Sequence, residues 1–267
     1  MQIHSLGYRT DVFFPRFEGI ILDRENYLVI LTPSNPGFYW GNYLLFNAPP
    51  AAGDLERWQA LFEQEICARQ DAPHRVFGWD TATGEAGDVQ PFLDAGYRLC
   101  QSVVLTAQQV NVPPKYNSEV AVRALVEDWE WDQAVQNQVD CRPPEFTVED
   151  FMPFKRAKME RYRAMQRAGL GEWFGAFVDN RLVADLGLFC VDGVARFQTV
   201  ETAPEFRRQG ICGTMVYQAA CYGFERLGAK TLVMVADEHY HAARIYESVG
   251  FRVQERQIGL ERWKEMQ

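Results

Sequence analysis

With 267 residues, 47% of them hydrophobic and 13% aromatic, the chain has the material for one large core or two modest ones. A formal net charge of −9 argues against general nucleic-acid binding, which needs a basic surface, and is compatible with a cationic or amine substrate. The six cysteines (67, 100, 141, 190, 212 and 221) form no CxxC pair and read as reduced thiols of a cytoplasmic protein, not as a disulfide framework. The opening MQIHSLGYRTDVFF lacks the apolar stretch of a signal peptide, and no run reaches the ~18 apolar residues of a membrane span. His239 and His241 stand without further ligands at metal-binding spacing, so no metal is expected.

In chain order, Tyr27–Thr32 and Tyr43–Phe46 are the first strand-like runs. Ala48-Pro49 follows, and Asp54 can cap a helix with Leu55, Trp58, Leu61, Phe62 and Ile66 at helical spacing. Arg75–Trp79 reads as a strand, a short helix ends at Gly96, and Tyr97–Leu105 reads as the next strand. The polar stretch Gln108–Ser118, with its Pro-Pro pair, reads as a linker. Val120–Leu125 is then strand-like, and Trp129 to about Gly169 is helical with a break at Pro143-Pro144. Trp173–Val178, Leu182–Val191 and Ala195–Glu201 are predicted strands, and the turn signals Asp179-Asn180 and Asp192-Gly193 make them antiparallel hairpins. A helix begins at Ile211, with Met215, Val216, Ala219, Ala220, Phe224 and Leu227 on its apolar face and Gly228 as C-cap. Thr231–Val235 is a buried-type strand, another helix runs to Gly250, and a last strand starts at Phe251.

The two halves rhyme. Each has antiparallel strands, Ala-Pro, a helix, a strand, a helix, a Gly-aromatic pair and a strand. Ala48-Pro49 precedes Gly96-Tyr97 by nearly the distance that separates Ala203-Pro204 from Gly250-Phe251. A duplicated fold accounts for this order, and two unrelated α+β pieces are the plainer alternative. The reading divides the chain into a first domain (1–110), a linker (111–118) and a second domain (119–267).

The chemistry concentrates in residues 204–217, PEFRRQGICGTMVY. A helix N-terminus presents unsatisfied N–H groups and partial positive charge. Arginines and a glycine at that point make a seat for an anion, above all a phosphate. Gly210 removes a side chain from the approach, N–H groups from Gln209 to Thr214 can face the oxygens, and Arg207 and Arg208 can add charge at the rim. A glycine-loosened turn with solvated arginines is the bland alternative.

The run Arg207-Arg208-Gln209-Gly210-Ile211-Cys212-Gly213 resembles the acyl-CoA signature of the GNAT superfamily of N-acetyltransferases, Q/R-x-x-G-x-G/A. Residues 242–251, AARIYESVGF, resemble that family's second signature, A-x-x-x-Y-x-x-x-G-F. The likeness spans roughly residues 118–267. It implies an α+β fold of two GNAT-like domains, each a mixed, mostly antiparallel sheet flanked by helices. It implies acetyl-CoA as acyl donor, an amine as acceptor, and direct attack in a ternary complex. The cofactor-binding residues it implies are Val200, Glu201, Thr202, Arg207, Arg208, Gln209, Gly210, Ile211, Cys212, Gly213, Thr214, His239 and Tyr246. The strand end at Val200, Glu201 and Thr202 would bond the pantetheine arm through its backbone. Tyr246 would protonate the departing thiolate, and Glu201 would take the amine's proton, directly or through water.

Two positions depart from the pattern: Cys212 fills the second Gly/Ala slot, and His239 stands where the family often has Asn. The first half lacks the signature. Pro50-Ala51-Ala52-Gly53-Asp54 brings no arginine and one acid, and Phe92 stands where the second half has Tyr246. It reads as a degenerate copy that shapes the acceptor pocket or replaces a dimer partner, in a monomer or homodimer. A non-catalytic acyl-CoA-binding regulatory module is the competing reading. Neither nucleic acid nor membrane is expected as a partner.

Overall fold

The computed structural model describes residues 1–237 and 242–263, and the chain forms two compact units. The first unit comprises Met1–Val104 and the chain end from Gln254, and the second comprises Leu105–Val253.

The first unit opens with two short helices, α1 (Leu6–Asp11) and α2 (Phe13–Glu18), and a strand, β1 (Ile20–Asp23), none of which the sequence pattern announced. β2 (Tyr27–Leu31) pairs antiparallel with β1 and with β3 (Tyr43–Phe46). Helix α3 (Asp54–Phe62) then returns the chain so that β4 (His74–Trp79) lies parallel to β3, Leu44 opposite Phe77. A parallel neighbour requires such a crossover. Helix α4 (Gln90–Asp94) and strand β5 (Arg98–Ala107) follow. The core is aromatic: Trp58 stacks on Phe46 at 3.8 Å, and Phe62, Phe77, Trp79 and Phe92 are fully buried around it.

The free side of β4 is taken by the last strand of the chain, β11 (Arg252–Trp263), antiparallel from Gly259 opposite Gly78 to Trp263 opposite His74. The second domain therefore does not run to residue 267 as the sequence reading had it. Pairing satisfies the open edge of β4, and Ile258 and Leu260 complete the aromatic core of the first unit.

The second unit is built from β6 (Ala121–Ala124), α5 (Asp128–Asp140), α6 (Val148–Arg167), β7 (Gly171–Val178), β8 (Arg181–Val191), β9 (Val194–Thr202), α7 (Ile211–Glu225), β10 (Thr231–Asp237) and α8 (Ala242–Val249). Its sheet order is β6-β7-β8-β9-β10. Strands β6 to β9 are antiparallel, and β10 lies parallel to β9. The Pro143-Pro144 pair falls between α5 and α6. Among the described residues no helix is long and apolar enough to cross a membrane.

The units repeat one another in backbone detail. In each, a glycine in the left-handed region caps the helix between the parallel strands: Gly53 at φ 85° and Gly210 at φ 84°. The Tyr97 N–H donates to the Phe92 carbonyl at 3.0 Å, and the Phe251 N–H to the Tyr246 carbonyl at 3.1 Å. Gly96 and Gly250 close the same turn with bonds of 3.0 Å to Leu93 and Glu247.

Candidate active site

Strand β9 carries an extra residue. Asp185 and Gly187 of β8 face Glu201 and Gln198, so two steps on one strand oppose three on the other. Thr199 absorbs the bulge at φ 42°, a conformation that costs a β-branched residue about 1–2 kcal/mol. Strict alternation would put Gln198 and Glu201 on opposite faces. The bulge puts both toward α6, where Gln198 Oε1 accepts from the Tyr162 hydroxyl at 2.9 Å and Glu201 faces Lys155. The ladder with β10 ends before the bulge. Thr231, Leu232 and Val233 pair with Val194, Ala195 and Arg196. Among the described residues the pairing stops there, although β9 continues to Thr202 and β10 to Asp237. The edge of β9 beyond Arg196 faces a wedge between two diverging strands.

The loop from Ala203 to Gly210 closes one end of this wedge. Arg208 (φ 63°) and Gly210 (φ 84°) both sit in the left-handed region, the alternation that turns backbone N–H groups toward a common point. No side chain caps α7. Its opening N–H groups, from Ile211, Cys212 and Gly213, carry the positive end of the helix dipole. Thr214 stands apart from the expected set. Its N–H already donates to the Gly210 carbonyl at 3.1 Å as the first intrahelical bond, and its buried hydroxyl accepts from the Asn117 N–H at 2.8 Å. Arg207 also differs from its expected place at the rim. Its guanidinium turns back on the strand end, with Nε bonded to the Thr202 carbonyl at 3.0 Å and Nη2 3.7 Å from Cys141 Sγ. The Thr202 carbonyl is thereby already engaged. Arg208 and Gln209 are exposed on the loop.

The segment 111–118 is not a free linker. It belongs to the second unit and packs on the loop, where the Asn117 side chain donates to the Gln209 carbonyl at 2.9 Å and Lys115 to the Arg208 carbonyl. A Cβ on Gly210 would run into the Lys115 carbonyl. The glycine is thus demanded by its own chain as well as by its φ.

Behind Glu201 lies a polar network that the motifs did not reveal. Asp185, directly across the strand pair, is fully buried and accepts from Asn137 Nδ2 (2.6 Å), Gln138 Nε2 (2.6 Å) and Trp173 Nε1 (3.0 Å). Burial pushes its carboxyl up to about 7 against those three donors. Gln138, its amide fixed by Asp185, accepts from Lys155 Nζ at 2.8 Å. Lys155 is buried on α6 with its ammonium 5.2 Å from the Phe151 ring centroid, and burial pulls its pKa down. Burial raises the Glu201 carboxyl above its usual range, while Lys155 and Arg207 draw it back. The sequence held one signal for this network: Asp185 is the lone acid in the otherwise apolar run of β8.

Cys212 lies on the first turn of α7. Burial and the nearby Glu201 carboxylate push its thiol up to about 12, which keeps it protonated and unsuited to nucleophilic work. Cys141 is held at about 12 in the same way. Helix α8 brings the second motif to the first, since a Cβ on Gly213 would lie 3.6 Å from Ile245 Cγ2. Tyr246, the next residue, is buried at 5% exposure. His239 lies outside the described residues.

In the first unit the equivalent helix start is closed by its own chain. The Asp54 carboxylate accepts from the Ala51 N–H at 2.9 Å and from Arg57 Nε at 2.8 Å, so a carboxylate already stands where an anion would bind. Pro49 and Pro50 have no N–H to offer. Phe92 is buried in the aromatic core.

Residues 127–251 match the sequence profile of the acetyltransferase (GNAT) family. No curated protein matches the chain. Among solved structures, a functionally unknown conserved protein from Staphylococcus epidermidis superposes with a TM-score of 0.71 at 15% identity, covering 93% of this chain and 95% of its own. A GCN5-related N-acetyltransferase from Kribbella flavida gives 0.66 at 15% identity over 96% and 95%. A tandem GNAT protein from the clavulanic acid biosynthesis pathway gives 0.52 at 12% identity over 79% and 70%. These likenesses concern the fold and extend it to both units: two GNAT-like domains, each a mixed, mostly antiparallel sheet flanked by helices.

Proposed function

With residues 127–251 a GNAT domain, we propose that the protein transfers an acetyl group from acetyl-CoA to the primary amine of an acceptor by direct attack within a ternary complex. The observation that carries this reading is the wedge beyond Val233 and Arg196, with an uncapped, glycine-turned helix start at its end. The wedge suits a peptide-like arm that adds to the β9 edge, and the helix start suits the arm's diphosphate. The contrast with Asp54 supports the fit, because of the two equivalent helix starts the one that carries its own anion is in the unit without the motif.

Acetyl-CoA, when bound, supplies an acyl carbon with a thiol leaving group. Val200 offers backbone partners to the arm, and Arg208, Gln209, Gly210, Ile211, Cys212 and Gly213 line the phosphate end. Glu201 takes the proton of the attacking amine. Its half-buried setting raises its basicity, and the ammonium of Lys155 favours its ionised form. Tyr246 returns a proton to the leaving sulfur.

Titration calorimetry with acetyl-CoA and a panel of amine acceptors read by free thiol release test the proposal. The expected result is binding with one site per chain and thiol release with at least one amine. Binding with no turnover across the panel would favour an acyl-CoA-binding module, and no binding would overturn the reading.

A further inference from the structure

The segment between the two repeats touches the anion loop at successive points. Lys115 Nζ donates to the Arg208 carbonyl, Asn117 Nδ2 to the Gln209 carbonyl, and the Asn117 N–H to Thr214 Oγ1. The Lys115 carbonyl abuts Gly210, and a Cβ on Gly213 would lie 3.3 Å from Pro113 Cβ. Arg207, the first cation the motif offers, is engaged with Thr202 and Cys141. Arg207, Arg208 and Lys115 are all exposed at the turn, and of the three Arg207 is turned back on the strand end. An ammonium has three donors, and the bond to Arg208 uses one. Its charge stands beside a backbone turn whose N–H groups already favour an anion, where a second charge adds to the same field.

Building on the acetyl-CoA reading, we propose that Lys115 is a phosphate-binding residue of the coenzyme A seat, supplied by the segment 111–118 from outside the loop motif. Its ammonium binds a phosphate oxygen of coenzyme A and at the same time covers the Arg208 carbonyl, which would otherwise face that anion.

The test is the affinity of the full chain for coenzyme A, 3′-dephospho-coenzyme A and pantetheine, in the wild type, Lys115→Met and Lys115→Gln. Lys115 is exposed, so both variants are expected to fold, and their melting temperatures check this. The glutamine keeps a donor for the Arg208 carbonyl and loses the charge. The expected result is a rise of about tenfold in the Kd for coenzyme A in both variants, the size of one charge-assisted contact, with the Kd for pantetheine unchanged. A loss confined to coenzyme A assigns the contact to the 3′-phosphate, and an equal loss with the dephospho form assigns it to the diphosphate. Wild-type affinity in either variant, or an equal loss for pantetheine, would overturn the assignment. A wild-type protein that binds no coenzyme A would overturn the acetyltransferase reading itself, and this assignment with it.

Discussion

Tyr246 and Phe92 hold the same place before the closing glycine of each repeat and differ by one hydroxyl. Both rings are buried, and the first repeat packs at this place with a ring that carries no oxygen. Tyr246→Phe should therefore leave acetyl-CoA affinity nearly unchanged and lower the turnover number by ~10²-fold, the low end for a positioned proton donor. Steady-state thiol release at saturating acetyl-CoA measures it, and wild-type turnover would remove Tyr246 from acid duty and leave water in that role. Glu201 makes the complementary case. The groups that face it are Lys155 on α6, Arg207 on the loop, the Cys141 thiol at the end of α5, Cys212 on α7 and Asp185 across the strand pair. As a base it works ionised, so kcat/KM falls as pH drops through its pKa. That pKa is raised by burial and lowered by Lys155, so Lys155→Met should raise it further and move the acid limb of the profile to higher pH. Lys155→Arg should keep the limb in place. A Lys155 that only packs would scale the rate at every pH and leave the limb unmoved in both variants.

The two left-handed glycines at the helix starts separate conformational strain from steric conflict. A Cβ on Gly53 would meet open space, whereas one on Gly210 would collide with the Lys115 carbonyl, a backbone atom that cannot swing aside. Gly53→Ala should thus cost about 1–2 kcal/mol for the left-handed φ alone. Gly210→Ala should cost clearly more, and its loss of acetyl-CoA affinity would report a displaced loop as much as a filled phosphate seat. Equilibrium denaturation of both variants decides this, and equal costs would contradict the packing of 113–117 on the loop. The same segment shows where the sequence stopped being legible. Glycine, arginine and tyrosine at motif spacing announced the loop and α8, because local backbone demands fix those residues. Polar Gln108–Ser118 read as a linker because its bonds to Arg208, Gln209 and Thr214 join positions about ninety residues apart, which no local pattern records. The bulge at Thr199 was hidden too, since Thr in a strand run is ordinary and only the register with β8 exposes the extra residue. Asp185 left a trace, and its partners Asn137, Gln138 and Lys155 lie on helices whose polar residues look like solvated ones until the helices pack.

At the scale of the molecule, the duplicated order of elements was visible in the sequence, and the destination of the last strand was not. A strand after Gly250-Phe251 can be foretold from its own residues, while its partner is a matter of pairing far along the chain. Pairing with β4 means that the first unit does not close within residues 1–110. It lacks Ile258 and Leu260, buried at 1% and 0% exposure in the cluster of Trp58, Phe77 and Trp79. Leu260→Ala should accordingly destabilise the first unit by ~2–5 kcal/mol, the range for emptying a large aliphatic site in a core. A chain ended after Val253 should lose more, because β4 then keeps an unpaired edge as well as an incomplete core. Trp58 and Trp79 are both buried beside the missing strand and report the change through near-ultraviolet circular dichroism and fluorescence. The expected outcome is loss of their fixed environment in the shortened chain and a lowered denaturation midpoint in Leu260→Ala. A shortened chain with the wild-type tryptophan signal and an unchanged midpoint would mean that the first unit is complete without β11, and the division of the chain at Gln254 would have to be redrawn.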